Sequence, residues 1–211
     1  MNINLKILES QNQIGKGILA AFLQDLKTDI DRGVSLVKNQ LPQIINSAVI
    51  NSPEYSSLVG GKLKYDFGIP NANQKIAGLI DIWSQNIQYK YKSPFIAGTQ
   101  IRSSFSASVF KVDFSDVLGT DYASVYDTVR GYSLPWLQWL VFYGNIPIID
   151  DYQVVMVNTR ASRTGRAIMR KSGGSWRVPS EFSGTMADNW ITRAIESKSA
   201  EINSLLERSF K

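Results

Sequence analysis

IGKGILAAFLQDLKTDIDRGVSLVKNQLPQIINSAVI, the stretch from Ile14 to Ile50, decides the fold. Its apolar residues are Ile14, Ile18, Leu19, Phe22, Leu23, Leu26, Ile30, Val34, Val37, Leu41, Ile44, Ile45 and Ala48. They recur mostly three and four apart, the period of an amphipathic helix. Lys27, Asp31 and Lys38 lie off the stripe. Pro42 lacks an N–H, so a kink is expected there, or an end of the first part near Leu41. A continuous helix over this span is about 55 Å long. A compact chain of this size is about 43 Å across. Either Pro42 folds the helix back, or its surplus stripe packs on another subunit. The length favours oligomerisation.

Working outward, Asn51–Ser57 is turn-rich and starts a short helix, with Pro53 suited to its first turn. Gly60 and Gly61 break it. Residues 73–87 repeat the helical pattern through Ile76, Leu79, Ile80, Trp83 and Ile87, with Asn71 or Asn73 as cap. The period then changes. Ile101, Ser103, Phe105, Ala107 and Val109 alternate with Arg102, Ser104, Ser106 and Ser108, which reads as a strand. The phase slips at Phe110, so a bulge is expected near Val109 and Phe110 before Val112 and Phe114. Leu134–Tyr143 reads as a short buried helix with Ser133 as cap. Ile146–Ile149 and Tyr152–Asn158 read as a hairpin turning at Asp150-Asp151. Ala167–Lys171 is a further short strand, and Trp176–Pro179 is extended. One last helix is expected over 186–210, capped by Ser183 or Thr185, with Ile191, Ala194, Ile195, Ile202, Leu205, Leu206 and Phe210 as its stripe. The pattern implies a single α+β domain over residues 1–211. In it, a long N-terminal helix and a C-terminal helix pack on a small antiparallel sheet drawn from 99–114, 146–158 and 167–179.

Composition removes much chemistry. The 211 residues contain neither Cys nor His. No disulfide forms, no Cys/His zinc site exists, and the usual general base near neutral pH is missing. Ser-His-Asp triads and Cys-His dyads go with it. Carboxylate, Lys, Tyr or Ser chemistry remains, or a metal held by oxygen alone. No apolar run reaches the ~18 residues of a membrane span. MNINLKILESQNQ lacks a signal-peptide core, so residence in a cytoplasm is expected.

Several constellations have bland readings that fit better. Gly15-Lys-Gly-Ile-Leu-Ala matches the GxGxxA dinucleotide fingerprint on paper, but no strand precedes it, as that turn requires. Asp150-Asp151 and the trio Asp113, Asp116 and Asp121 carry oxygen ligands, yet adjacent Asp pairs are ordinary turn formers. Nothing selects a catalytic carboxylate pair. No cofactor, no metal and no enzyme activity are expected. Trp136, Trp139, Phe142 and Tyr143 lie in one helix without Lys or Arg, which suits a core or a subunit contact better than a membrane interface.

Charge placement is the sharpest signal. Arg160, Arg163, Arg166, Arg170, Lys171 and Arg177 occur with no Asp or Glu between Asp151 and Glu181. Of the formal net charge of +5, the rest of the chain carries −1. The body is near-neutral with one basic arm. Arg offers a planar fork to phosphate. The same arm suits acidic groups of a neighbouring subunit, or plain solvation.

The order of segments resembles a known family. A long helix precedes Ser52-Pro53 and the word GGKL from Gly60. SLPWLQWL follows from Ser133, SRTGRAIM from Ser162, SWRVPSEFSGT from Ser175 and DNWITRAI from Asp188. Together they look like the neck and tail-completion proteins of tailed bacteriophages, the small head–tail joining proteins. The likeness spans most of the chain, with Asn71 to about Gly131 outside its strongest words. It implies a virion structural protein assembled in the host bacterial cytoplasm and forming a ring at the neck. The ring would sit between portal or adaptor and tail-terminator proteins, with genomic DNA passing through. Subunit packing is then expected at Ile18, Phe22, Leu26, Ile30, Trp136, Trp139, Trp176 and Trp190, with the basic arm facing DNA or a subunit.

Overall fold

The computed structural model describes residues 10–109, 113–128 and 131–211. The chain is a mixed α+β protein. A long N-terminal helix, α1 (Gln11–Ile50), is followed by α2 (Pro53–Val59), α3 (Lys62–Phe67) and α4 (Ala72–Gln85). A hairpin of β1 (Gln88–Ala97) and β2 (Gln100–Ser108) comes next, then α5 (Ser115–Leu118), β3 (Val125–Asp127), β4 (Tyr132–Leu134) and α6 (Trp136–Phe142). The chain closes with β5 (Ile149–Met156), β6 (Ala167–Trp176), α7 (Trp190–Glu196) and α8 (Ser199–Ser209). Among the described residues the strands pair only in sequence order, as three separate two-stranded antiparallel sheets.

Two compact units emerge. One gathers the chain up to Leu41 with Gln88–Ser108 and Asn203–Lys211; the other holds Pro42–Ile87 and Val109–Ile202.

In the first unit, Val34, Val37 and Leu41 of α1 are buried, as is Leu205. Gly33 marks a close approach: a Cβ there would lie 2.1 Å from the Ser209 carbonyl oxygen. The β1–β2 hairpin turns its aromatic face inward. Tyr89 stacks on Phe105 at 6.1 Å, Phe105 meets Phe210 at 5.9 Å, and the Tyr91 hydroxyl donates to the Asp31 carboxylate.

The second unit holds a core rich in tryptophan. Trp83 and Trp190 meet edge to face at 5.6 Å, and Phe67 contacts Trp136 at 5.9 Å and Trp176 at 5.7 Å. Leu58, Leu63, Ile69, Ile76 and Leu79 fill the space between. Ser52 caps α2, accepting from the Tyr55 N–H, and its hydroxyl also accepts from the buried Trp190 indole N–H at 2.7 Å. One short side chain, Ser52, thus satisfies both a helix-start N–H and a buried indole N–H.

Four expectations require correction. Helix α1 does not end at Pro42; it continues through the proline to Ile50. Proline removes one backbone hydrogen bond, but Leu41, Ile44, Ile45, Ala48 and Val49 around it are all buried, and that packing outweighs the loss. Asp150-Asp151 is not a hairpin turn. Both lie inside β5, where the register against β6 shifts: a single β5 residue, Asp151 at φ 62°, stands between paired Asp150 and Tyr152, opposite three extra residues of β6, Ser172 to Gly174. Ala167–Lys171 and the stretch to Trp176 are one strand, β6, spanning a glycine pair. The last helix is two: α7 starts only at Trp190, because Asn189 and Thr192 close a reciprocal capping box there, and α8 follows after Ser197. Ser183 and Thr185 do not cap it.

Helices α2 and α4 stand within a residue or two of their expected bounds. The expected strand over 101–109 is β2, which ends at Ser108; the bulge near Phe110 and the continuation through Val112 lie outside the described residues, and Phe114 is in no strand but leads into α5 with φ 53°. The partner of β2, strand β1, was not foreseen.

Candidate functional site

In the first unit, the early part of α1 carries an apolar stripe that is exposed among the described residues. Ile14, Ile18, Phe22 and Leu26 are exposed, Phe22 to 64% and Ile18 to 52%, while Ile30 is half-buried. The i, i+4 spacing stacks them on one helix face. Gly15 and Gly17 lie within this helix with nothing within 4 Å of a Cβ at either. They form no strand-to-helix turn, so the phosphate-binding geometry of GxGxxA is not built here.

The second unit carries the basic arm. Strands β5 and β6 pair from Met156–Ala167 to Ile149–Trp176. Val154 and Met169 pack toward the core, which turns Gln153, Arg170, Val155 and Ile168 the other way. The connection holds Arg160, Arg163 and Arg166, and Ser162 organises it. The Ser162 hydroxyl donates to the Ala167 carbonyl at 2.5 Å and accepts from the Ala167 and Thr164 N–H groups at 3.1 and 3.3 Å. Gly165 turns the chain with φ 77°.

The six cations are not equivalent. Arg163 is anchored, with Nη1 donating to Asp127 at 3.0 Å and Nε to the Gly68 carbonyl at 3.3 Å. Arg160, Arg166, Arg170 and Lys171 are exposed and form no ion pair among the described residues. Arg177 reaches the Asn145 carbonyl at 3.5 Å. It lines a shallow groove of about 500 Å³ with Lys62, Asp66, Asn145, Ser175 and Glu181. Partial burial, with Glu181 nearby, pushes the Asp66 carboxyl up to about 6 against the opposing pull of Lys62. The arm therefore carries four cations with no ion pair among the described residues, a fifth bonded to the Asn145 carbonyl, and a sixth anchored to Asp127.

The tryptophans expected at subunit contacts divide. Trp136 and Trp190 are fully buried and Trp176 is 7% exposed. They fill the core of their own unit, so they are not contact residues. Trp139 is half-buried and packs against Phe67 and Trp176. An aromatic run of this kind has the same appearance in sequence whether it faces a core or a partner.

Among the described residues no three acidic side chains gather where a metal ion would sit. No helix among them is long and apolar enough to cross a membrane. Two features escaped the sequence reading. One is the buried Glu54 paired with Arg193 at 2.8 Å. The other is the outer face of the β1–β2 hairpin, whose signal was a second acid-free stretch between Asp81 and Asp113. No protein-family model matches the chain, and no curated protein or solved structure is significantly similar to it.

Proposed function

We propose that this chain is a subunit of an oligomeric neck ring in a tailed bacteriophage, joining the capsid portal side to the tail while DNA passes through the channel. The observation that carries this reading is the exposed stripe Ile14, Ile18, Phe22 and Leu26 on α1. A helix face of this kind is costly to leave in water and is completed by an apolar partner. A second copy of the same chain supplies one in a ring. The family words from Ser133 to Ile195 support the same reading, as does a composition without Cys or His. The work would be mechanical and electrostatic. Subunits bury helix stripes, extended segments dock on neighbouring portal, adaptor or tail-terminator rings, and the arm at Arg160, Arg166 and Arg170 faces DNA or an acidic neighbour.

The test is composition of the particle. Mass spectrometry of purified virions from the phage that encodes this chain should find it in several copies, and electron cryomicroscopy should place it in a ring at the neck. Virions without a copy of it would overturn the reading. A soluble nucleic-acid-binding protein is the second reading, favoured by the exposed cations of the arm. It predicts tight, steeply salt-dependent binding of short duplex DNA by the isolated chain.

A further inference from the structure

The β1–β2 hairpin has two chemically distinct faces. Pairing places Gln88 opposite Ser108, Lys90 opposite Ser106 and Lys92 opposite Ser104. Beyond the bulge at Ser93 and Pro94, Phe95 stands opposite Arg102. Alternation along β2 puts Arg102, Ser104, Ser106 and Ser108 on one side. That side is the outer one, because Tyr89, Tyr91 and Phe105 are the residues turned toward α1 and Phe210. Every one of Gln88, Lys90, Lys92, Arg102, Ser104, Ser106 and Ser108 is exposed.

This face offers three cations, hydroxyls and amides, and not one carboxylate. None of Lys90, Lys92 and Arg102 forms an ion pair among the described residues. Lys90 and Lys92 stand about 7 Å apart along the strand. Like charges set so close without counter-charges cost stability, where Glu or Asp at Ser104 or Ser106 would add to it. Lys92 is also held in place. Its ammonium lies 4.0 Å from the Phe95 ring centroid, and its carbonyl accepts from the Ser103 hydroxyl at 2.9 Å.

We infer that this face binds the phosphate backbone of duplex DNA without regard to sequence, as a second site separate from the 160–177 arm. Phosphate contacts in nucleic-acid complexes come from Lys and Arg together with Ser and Gln side chains, the inventory found here. A two-stranded ribbon also fits the DNA major groove, about 12 Å wide. An acidic protein partner is the weaker match. Protein contacts draw their energy from desolvated aromatic or Arg anchors seated in pockets, and the only ring on this face, Phe95, lies under Lys92. Edge lysines also deter strand aggregation, but that role needs no cluster of one sign facing outward with serines.

The inference does not depend on the ring reading. Virion composition tests that one; the purified full-length chain tests this one. Fluorescence anisotropy would follow a random duplex of about 30 base pairs across about 20–200 mM salt. Three proteins are compared: wild type, K90Q/K92Q/R102Q, and the arm variant R160Q/R166Q/R170Q. The hairpin variant is expected to bind at least tenfold more weakly, with its log–log salt slope reduced by about 2–3. The charge-preserving K90R/K92R/R102K should retain binding. Circular dichroism melts check the fold. If the triple variant does not fold, Ser106→Glu decides instead, by placing a negative charge on the same face. No binding by wild type at about 20 mM salt overturns the inference. So does a folded hairpin variant with unchanged slope and affinity, or one that loses poly-glutamate binding while keeping DNA.

Discussion

Arg193 holds the buried carboxylate of Glu54 with two donors, Nε at 3.2 Å and Nη2 at 2.8 Å. Glu54 lies in α2 with only 4% of its side chain exposed, while the guanidinium also reaches Asp188 at 3.0 Å. The Ser183 and Phe182 carbonyls accept from the same guanidinium. One α7 side chain thus ties a short helix, a loop and its own helix start together. The two residues lie 139 positions apart in sequence.

Removing the cation alone should therefore be severe. Arg193→Met leaves Glu54 charged and buried, at a cost of about 3–5 kcal/mol. Combining it with Glu54→Gln removes the stranded charge and should restore more than half of that loss. Urea unfolding of wild type, single and double variants measures it. A single variant within about 1 kcal/mol of wild type would show that the pair is solvated and inert.

The Asp66 carboxyl sets a pH dependence whose sign is opposite to that of an ordinary paired carboxylate. Its folded pKa is raised from 3.8 to about 6, first by desolvation. Between those values the folded chain holds a proton that the unfolded chain has lost. The stabilising contribution is present below pH 3.8 and disappears as pH rises through about 6. Solvent screening at this half-buried position limits it to about 1 kcal/mol. Asp66→Asn should gain roughly that amount at neutral pH and flatten the profile between pH 4 and 7. Melting temperatures across that range, wild type against variant, check it; a wild-type profile that Asp66→Asn leaves unchanged assigns the slope to another group.

Gly68 ends α3 in the left-handed region with φ 63°, and a Cβ there would lie 2.8 Å from Arg163 Nη2. Gly68→Ala must meet backbone strain of about 1–2 kcal/mol and push the guanidinium off the Gly68 carbonyl. Arg163→Met should lose a comparable amount, since its partner Asp127 has only 14% of its side chain exposed. Both variants should speed amide hydrogen exchange at Gly165, whose N–H donates to the Ser162 carbonyl at 3.2 Å. Unchanged exchange in both would separate the anchor from the arm.

How far the sequence could be read follows from which forces are local. Periodicity identified α1 and α4, since a one-sided apolar stripe at helical spacing has no other economical use. Pro53 and Ser52 marked α2 because capping is a contact between near neighbours. Strand β1 was missed although Tyr89 and Tyr91 alternate with Lys90 and Lys92, because the bulge at Ser93 and Pro94 breaks the period within four residues. Asp150-Asp151 carried turn chemistry, and Asp151 does take a turn-like φ, but the pairing of its neighbours Asp150 and Tyr152 with β6 keeps it inside a strand. For the arm, the cluster of cations was legible and its internal division was not. Nothing near Arg163 announces Asp127, 36 positions away. The tryptophans failed for the same reason: burial depends on tertiary neighbours that composition does not name.

The α1 stripe yields the prediction closest to function. Phe22→Glu and Ile18→Glu place a charge on a face that is exposed among the described residues, so stability should change by no more than about 0.5 kcal/mol. In an assembly the same charge would be driven into an apolar contact. Each of these side chains contributes about 1 kcal/mol there through the surface it still exposes, and an unpaired carboxylate adds several more against association. Gln24→Glu, an exposed change off the stripe on the same helix, serves as the control. Complementation in an infected host, read as variant protein incorporated per virion, measures the effect without requiring the isolated chain to assemble. Incorporation should fall at least tenfold for Phe22→Glu and remain near wild type for Gln24→Glu. Equal incorporation of both, with the melting temperature of Phe22→Glu unchanged, would remove the stripe from the subunit contact and with it the main support for the ring.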